Sequence, residues 1–247
     1  MNKLVLFSNL GSNKAYKDVW DYQEALLKTK IEQKLSLKKA ALANTTVNNI
    51  IGEMDDIEPI ANHLLFVEHL PVYTLGKSGS IANVLISEEE RRQKGIDFFK
   101  INRGGDITFH GPGQLVGYPI LDLEQFKTDI GWYLRSLEEV IILTLADYGL
   151  QGNRSKGETG VWLEPDIKGK ERKICAMGIR CSRWITMHGF AFNVNTDLTY
   201  FTHIVPCGIQ NKQVTSLQNE LGCQLPMEEV QNQVKENFKK VFEADLA

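Results

Sequence analysis

Between Arg103 and Pro119 the chain reads R-G-G-D-I-T-F-H-G-P-G-Q-L-V-G-Y-P, five glycines and two prolines in seventeen residues. That density forces turns. Gly104 and Gly105 directly follow a strand expected over Phe98–Asn102. Glycine there lets backbone approach a ligand closely or take φ > 0. His110-Gly111-Pro112-Gly113 forces a second turn. Read alone, the segment is either two hairpin turns with a polar rim or the wall of a pocket with His110 on it. It is not a phosphate loop: G-x-x-x-x-G-K-[ST] is absent, and R-G-G-D does not match G-x-G-x-x-G.

The flanking sequence supplies strands and helices in mixed order. Strands are expected at Leu4–Phe7, Leu64–Glu68, Val72–Leu75, Leu115–Leu121, Gly160–Leu163, Lys173–Cys181 and Ile185–Val194. Trp20, Leu27 and Ile31 predict a helix from Tyr16 to about Leu35. Ser87 and Glu90 form a capping-box pattern at the start of a short helix. Ile130, Leu134, Leu137, Ile141, Leu145 and Tyr148 share one helical face between Asp129 and Gly149. Pro226 opens a last helix with Val230, Val234, Phe238 and Val241 inward. Residues 36–60, with Glu53, Asp55, Asp56 and Glu58, read as a surface loop or insertion. With no repeat and no Pro/Gly/Ser linker, the pattern implies one α/β (α+β) domain over 1–247, on a mixed, mostly antiparallel sheet flanked by helices.

A second cluster of chemistry-bearing residues runs from Lys173 to Gly208. Lys173 starts an apolar strand that Ala176 and Gly178 keep slim, and Cys207 sits in a Pro-Cys-Gly turn. A turn presented by a rigid sheet is where reactive groups sit. A neighbouring lysine lowers a thiol pKa from about 8.5 toward neutrality, and the thiolate is a nucleophile. The bland alternative is an inert buried thiol and a surface lysine. His203 and Cys207 at i, i+4 could be half of a zinc site, but no second pair has ligand spacing. A Cys–His pair using His110 or His188 is chemically open. The four cysteines lack a C-x-x-C pair and no signal peptide precedes them, which favours reduced thiols and a cytoplasmic setting. A net charge of −3 argues against nucleic acid as partner. No apolar run reaches the ~20 residues that span a bilayer.

Together the segments resemble the octanoyltransferase family of lipoate biosynthesis, which moves octanoyl from acyl carrier protein to protein. Arg103–Pro119 is similar to that family's R-G-G-x-x-T-x-H-G-P-G-Q-x-x-x-Y-P signature. Lys173–Arg180, His188–Leu198, Ile204–Gly208, Glu68–Gly76 and Thr159–Trp162 match its other motifs. The resemblance covers roughly residues 60–210.

It implies the fold of the biotin and lipoate protein ligases and a catalytic dyad of Cys207 and Lys173. It implies acyl binding by Arg103, Gly104, Gly105, Asp106, Ile107, Thr108, Phe109 and His110, by Ala176, Met177 and Gly178, and by Gly189, Phe190 and Ala191. It calls for no cofactor and no metal. The donor would be octanoyl-acyl carrier protein. The acceptors would be lipoyl domains of 2-oxoacid dehydrogenase complexes and the glycine cleavage H protein, served by a monomer. In the implied mechanism Gly104, Gly105 and Gly178 let an acyl chain lie against backbone, and Phe190 walls its tunnel. His110 is a pocket wall or donor, His69 and His188 are structural, and Asn193 and Asp197 fix the turn before Cys207. Lys168, Lys170, Arg172, Arg180 and Arg183 are a candidate docking patch for an acidic carrier. Three other readings stay open: an ATP-dependent lipoate or biotin ligase of the same fold, a lipoyl amidotransferase, and a non-catalytic binding module for lipoyl domains.

Overall fold

The computed structural model describes residues 3–47, 60–205 and 213–247. In chain order the elements are β1 (Lys3–Asn9), α1 (Tyr16–Val47), β2 (Asn62–Val67), β3 (Val72–Leu75), α2 (Glu88–Gln93), β4 (Asp97–Lys100), β5 (Ile107–His110), β6 (Gln114–Ile120), α3 (Ile130–Asp147), β7 (Val161–Leu163), β8 (Arg172–Ser182), β9 (Ile185–Asn193), β10 (Gln213–Val214), α4 (Leu217–Leu221), α5 (Met227–Phe242) and β11 (Ala244–Leu246).

Eight strands form a mixed sheet in the order β10-β8-β9-β6-β2-β1-β11, with β7 also on β8. Its described pairings are four antiparallel and three parallel. A smaller sheet, β4-β3-β5, is a separate ladder. Helices α3 and α5 cover one face of the large sheet, burying Leu137, Ile141, Leu145, Val234 and Phe238 against Leu64, Phe66, Leu115, Ile174 and Phe192. Burial of such side chains, at about 1.5–3 kcal/mol each, is the main favourable term. α1 covers the opposite face, where Val19 and Leu27 meet Val67, Val116 and Met187.

α2 opens with the expected capping box of Ser87 and Glu90. α3 opens with Asp129 accepting from Trp132 N and is followed by Gly149 at φ 74°. In α5 the inward row is Val230, Val234, Phe238 and Phe242, and Val241 is half-buried beside it.

Three features differ from the sequence reading. First, α1 does not stop near Leu35 but runs to Val47. Its later turns carry Lys, Ala and Leu, which favour helix without an apolar stripe, so periodicity alone ended it early. Positions 48–59, including Glu53, Asp55, Asp56 and Glu58, lie outside the described residues. Second, the glycine-rich segment contains a strand, β5, whose Ile107-Thr108-Phe109 suits a pleated surface. Third, the short strands β10 and β11 and the short helix α4 were not anticipated; β11 lies parallel to β1 at the sheet edge.

Candidate active site

One cavity, with about 810 Å³ of empty space including its open mouth, lies between the α1 side of the large sheet and the smaller sheet. Lys173 and Thr159 stand at one part of its wall. Ala176, Gly178, Gly189 and Ala191 of β8 and β9 form the floor, and residues of the 103–110 segment face them.

Lys173 is half-buried on β8, paired with Trp162 of β7 on one side and Val214 of β10 on the other. Its Nζ lies 4.5 Å from the centre of the Trp162 ring and 3.9 Å from Glu158 Oε2. A carboxylate and an indole face both attract an ammonium. The loop carrying Glu158 is anchored by the fully buried Glu138 of α3. That carboxylate accepts from Gly160 N at 3.0 Å and Arg154 Nε at 3.0 Å, and pairs with Arg135 at 2.7 Å. Burial raises the Glu138 pKa above its usual value while these donors oppose the rise.

A directional hydrogen-bond chain ties the cavity wall together. Arg103 Nη2 donates to the Thr74 carbonyl at 2.7 Å and to Thr74 Oγ1 at 3.0 Å. Thr74 Oγ1 lies 3.3 Å from His110 Nε2, and His110 Nδ1 lies 2.9 Å from Gln114 Oε1. Because an amide oxygen only accepts, the ring proton sits on Nδ1 and Nε2 receives the threonine hydroxyl. Gln114 Nε2 donates to Asn193 Oδ1 at 2.9 Å, and Asn193 Nδ2 to the Thr215 carbonyl at 3.0 Å. Burial, with His69, Arg103 and His188 nearby, holds the His110 pKa well below 6.5. With both nitrogens engaged, His110 is a neutral pocket wall, stacked on Tyr16 at 5.9 Å, and not a base.

Of the residues expected to bind the acyl group, Arg103, Gly105, Asp106, Ile107, Thr108 and His110 line the cavity. So do Ala176, Met177, Gly178, Gly189, Phe190 and Ala191, with Lys173. Gly104 and Phe109 stand behind the wall. Gly104 N bonds the Ile179 carbonyl at 2.9 Å, and Phe109 stacks on Tyr200 at 4.4 Å in the small-sheet core. Gly178 lines the cavity and is also covered by the 103–105 segment. A Cβ there would lie 2.8 Å from Gly104 O and 2.9 Å from Arg103 Cδ. Its missing side chain lets that segment lie on β8, while Gly105 takes φ 85°. Phe190 is both wall and core: its ring also packs edge-on to Phe66 at 6.2 Å.

Asp197 caps a 3-10 turn at Leu198–His203, as its Asx role required. Asn193 does something else, joining β9 to Gln114 and Thr215. The five candidate docking cations do not form one patch. Arg172 bonds Glu220 at 2.6 and 2.7 Å and also Glu164, and Arg180 bonds Glu24 at 2.7 Å. Those two arginines are eight residues apart along β8, roughly 27 Å.

Cys207 lies outside the described residues. The described chain leaves at Val205, whose N–H bonds the Asn83 carbonyl, and resumes at Gln213, beside Arg172. Burial raises the thiol pKa of Cys175 and of Cys181, and Cys223 is exposed outside the cavity wall. Among the described residues no group of His, Cys, Asp and Glu could hold a metal ion, and no helix is long and apolar enough to cross a membrane.

Tyr16, Gln114, Tyr118 and His188 also line the cavity, and sequence reading missed the first three as site residues. Gln114, Val116 and Tyr118 alternate along β6, so the period-2 rule pointed at one shared face. Tyr16 arrives from the start of α1 and carries no such signal.

The comparisons with known proteins agree with this geometry. Residues 16–239 match the lipoyl protein ligase A/B catalytic domain. An octanoyltransferase of Christiangramia forsetii is 55% identical over 247 residues, all of this chain and 99% of that one. An octanoyltransferase of Flavobacterium johnsoniae is 53% identical over the full length of both. Among solved structures, the bipartite lipoate protein ligase of Thermoplasma acidophilum superposes with a TM-score of 0.64 at 16% identity, covering 100% of this chain and 85% of that one. The fold is thus that of the lipoate ligases, and the chain belongs to the lipoyl protein ligase A/B catalytic-domain family, on its octanoyltransferase branch.

Proposed function

We propose that this chain is an octanoyltransferase that takes octanoyl from acyl carrier protein through a thioester on Cys207 and delivers it to a lysine of lipoyl domains. The observation that carries the reading is a cavity with an apolar floor and a lysine in its wall, in a chain matched end to end by octanoyltransferases. In the first half-reaction the Cys207 thiolate attacks the carrier thioester. A new C–S bond forms, the old one breaks, and the carrier thiolate leaves and takes up a proton. The exchange of one thioester for another is close to isoenergetic. The Lys173 ammonium favours the thiolate and supplies that proton. In the second half-reaction a lysine amine attacks, a C–N bond forms, the Cys207 thiolate leaves, and the amine proton returns to Lys173.

Two findings support Cys207 over the other thiols: burial disfavours ionisation of Cys175 and Cys181, and Cys223 is remote from the cavity wall. The carrier docks on the exposed Lys168 and Lys170, which precede the end of β8 that carries Lys173. The acceptors are the lipoyl domains of 2-oxoacid dehydrogenase complexes and the glycine cleavage H protein, and the enzyme works in the cytoplasm as a monomer without cofactor.

Intact mass after incubation with octanoyl-carrier protein, without ATP, tests the reading. A hydroxylamine-labile octanoyl adduct is expected on the wild type and not on Cys207→Ser. Transfer that appears only with free acid and ATP would overturn it in favour of a ligase.

A further inference from the structure

β10 has two residues, Gln213 and Val214, well short of a usual strand, yet it is one of the two strands that flank Lys173. Thr215 N donates to the Lys173 carbonyl at 2.9 Å, and Gln213 N donates to the Glu171 carbonyl at 3.1 Å. So short an edge ladder opens readily unless something else holds it.

The holder is Glu220 of α4. Its Oε1 accepts from Arg172 Nε at 2.6 Å and its Oε2 from Arg172 Nη2 at 2.7 Å. The same Oε1 accepts the Thr215 hydroxyl at 2.6 Å. A bidentate guanidinium–carboxylate pair is the strong and directional form of ion pair. The Arg172 bonds, followed by that of Thr215, hold the Glu220 carboxyl below its usual pKa against its burial, so it is ionised at neutral pH. Fully buried Leu217 seats α4 on the core. The contacts close a ring around one residue. Arg172 precedes Lys173 in the chain, Thr215 holds the Lys173 carbonyl, and both end on Glu220. Thr215 also accepts from Asn193, which joins the ring to the cavity-wall chain through Gln114 and His110. A hydroxyl has one proton to give. Glu164, the other carboxylate on Arg172, therefore holds the arginine without holding β10.

We propose that Glu220 is a positioning residue for Lys173: it clamps β10 onto β8 and so fixes the base of the lysine side chain in the cavity wall. It touches no substrate and acts through Arg172 and Thr215. This inference rests on the acyl-transfer reading above.

The test is the single-turnover rate constant for acylation of Cys207 by octanoyl-carrier protein, followed by intact mass. That rate constant, unlike the amplitude, does not depend on the folded fraction, so lost stability alone leaves it unmoved. Glu220→Gln keeps the shape and removes the charge. Thr215→Val keeps the shape and the backbone N–H and removes the hydroxyl. Both are expected to acylate about tenfold more slowly, because a small misplacement of a reacting group is costly. KM for the carrier should stay within about twofold of wild type. Thr215→Ser, which restores the hydroxyl, and Glu164→Gln, which spares β10, should both acylate at the wild-type rate. Wild-type rates in Glu220→Gln and Thr215→Val, an equal loss in Glu164→Gln, no rescue by serine, or a change confined to KM or amplitude would each overturn the proposal. If the wild type itself forms no adduct, the acyl-transfer reading fails instead, and amide hydrogen exchange at Thr215 decides. Exchange about tenfold faster in Glu220→Gln than in Glu164→Gln supports the clamp, and equal exchange overturns it.

Discussion

Lys173 is held by two neighbours of different chemistry, the Trp162 ring beneath it and the Glu158 carboxylate beside it. Replacing Glu158 by Gln removes the charge and keeps the shape. The expected result is a several-fold lower rate of Cys207 acylation in single-turnover mass measurements, with an unchanged melting temperature; an unchanged rate would show that the carboxylate does not position the ammonium. His110 behaves differently, because its two nitrogens link Thr74 to Gln114. His110→Ala leaves the Thr74 hydroxyl proton and Gln114 Oε1 buried without their partner, and a loss of about 2–4 kcal/mol in urea unfolding is expected. Lys173 was legible in the sequence because a lysine opening an apolar strand stands out. The strain at His188, whose backbone takes φ 61°, was not: a left-handed histidine inside a β-rich run leaves no mark on composition or period, so it was read as structural.

Two glycines where the 103–105 segment meets β8 make opposite predictions. Gly178→Ala would place a methyl 2.8 Å from Gly104 O, and the 103–105 segment must lift off β8. The expected cost is about 1–3 kcal/mol of stability, with weaker acyl binding read as a raised KM. Gly104→Ala meets nothing closer than 3.6 Å, so unfolding and KM should stay near wild type. Both were expected to make room for a ligand; only coordinates show that Gly178 lines the cavity under a covering segment while Gly104 stands behind its wall. Charge reversal of Lys168 and Lys170 should raise KM for the carrier at low salt and leave the acyl-chain preference alone; salt-insensitive, unchanged KM would place docking elsewhere. Elements with caps and periodic faces, α2, α3 and α5, were legible from sequence. The tail of α1 was not, because propensity rather than an apolar stripe carries it, and β10 and β11 are too short to show a period.

Across the whole molecule, three buried histidines stand on one side of the titration balance. Burial lowers the pKa of His69 to about 4 and of His188 to about 3, and holds His110 well below 6.5. In the unfolded chain they return to about 6.5. The unfolded state therefore binds more protons below that pH, and the neutral histidines contribute stability that is present above it and is lost as pH falls. Urea midpoints should decline from pH 6.5 toward 4, each histidine adding up to about 1.4 kcal/mol per pH unit; a flat profile would mean that these rings are solvated. The mixed sheet with helices on both faces followed from the order of strand and helix signals. The division into two ladders did not, since the change of sheet happens at turns whose direction no pattern encodes. That division has a mechanical consequence. No strand of the β4-β3-β5 ladder pairs with a described strand of the large sheet, so the width of the gap between them is governed by side chains and loop contacts rather than by a continuous backbone ladder. Widening that gap would cost the Gly104 N–Ile179 O bond but no strand pairing.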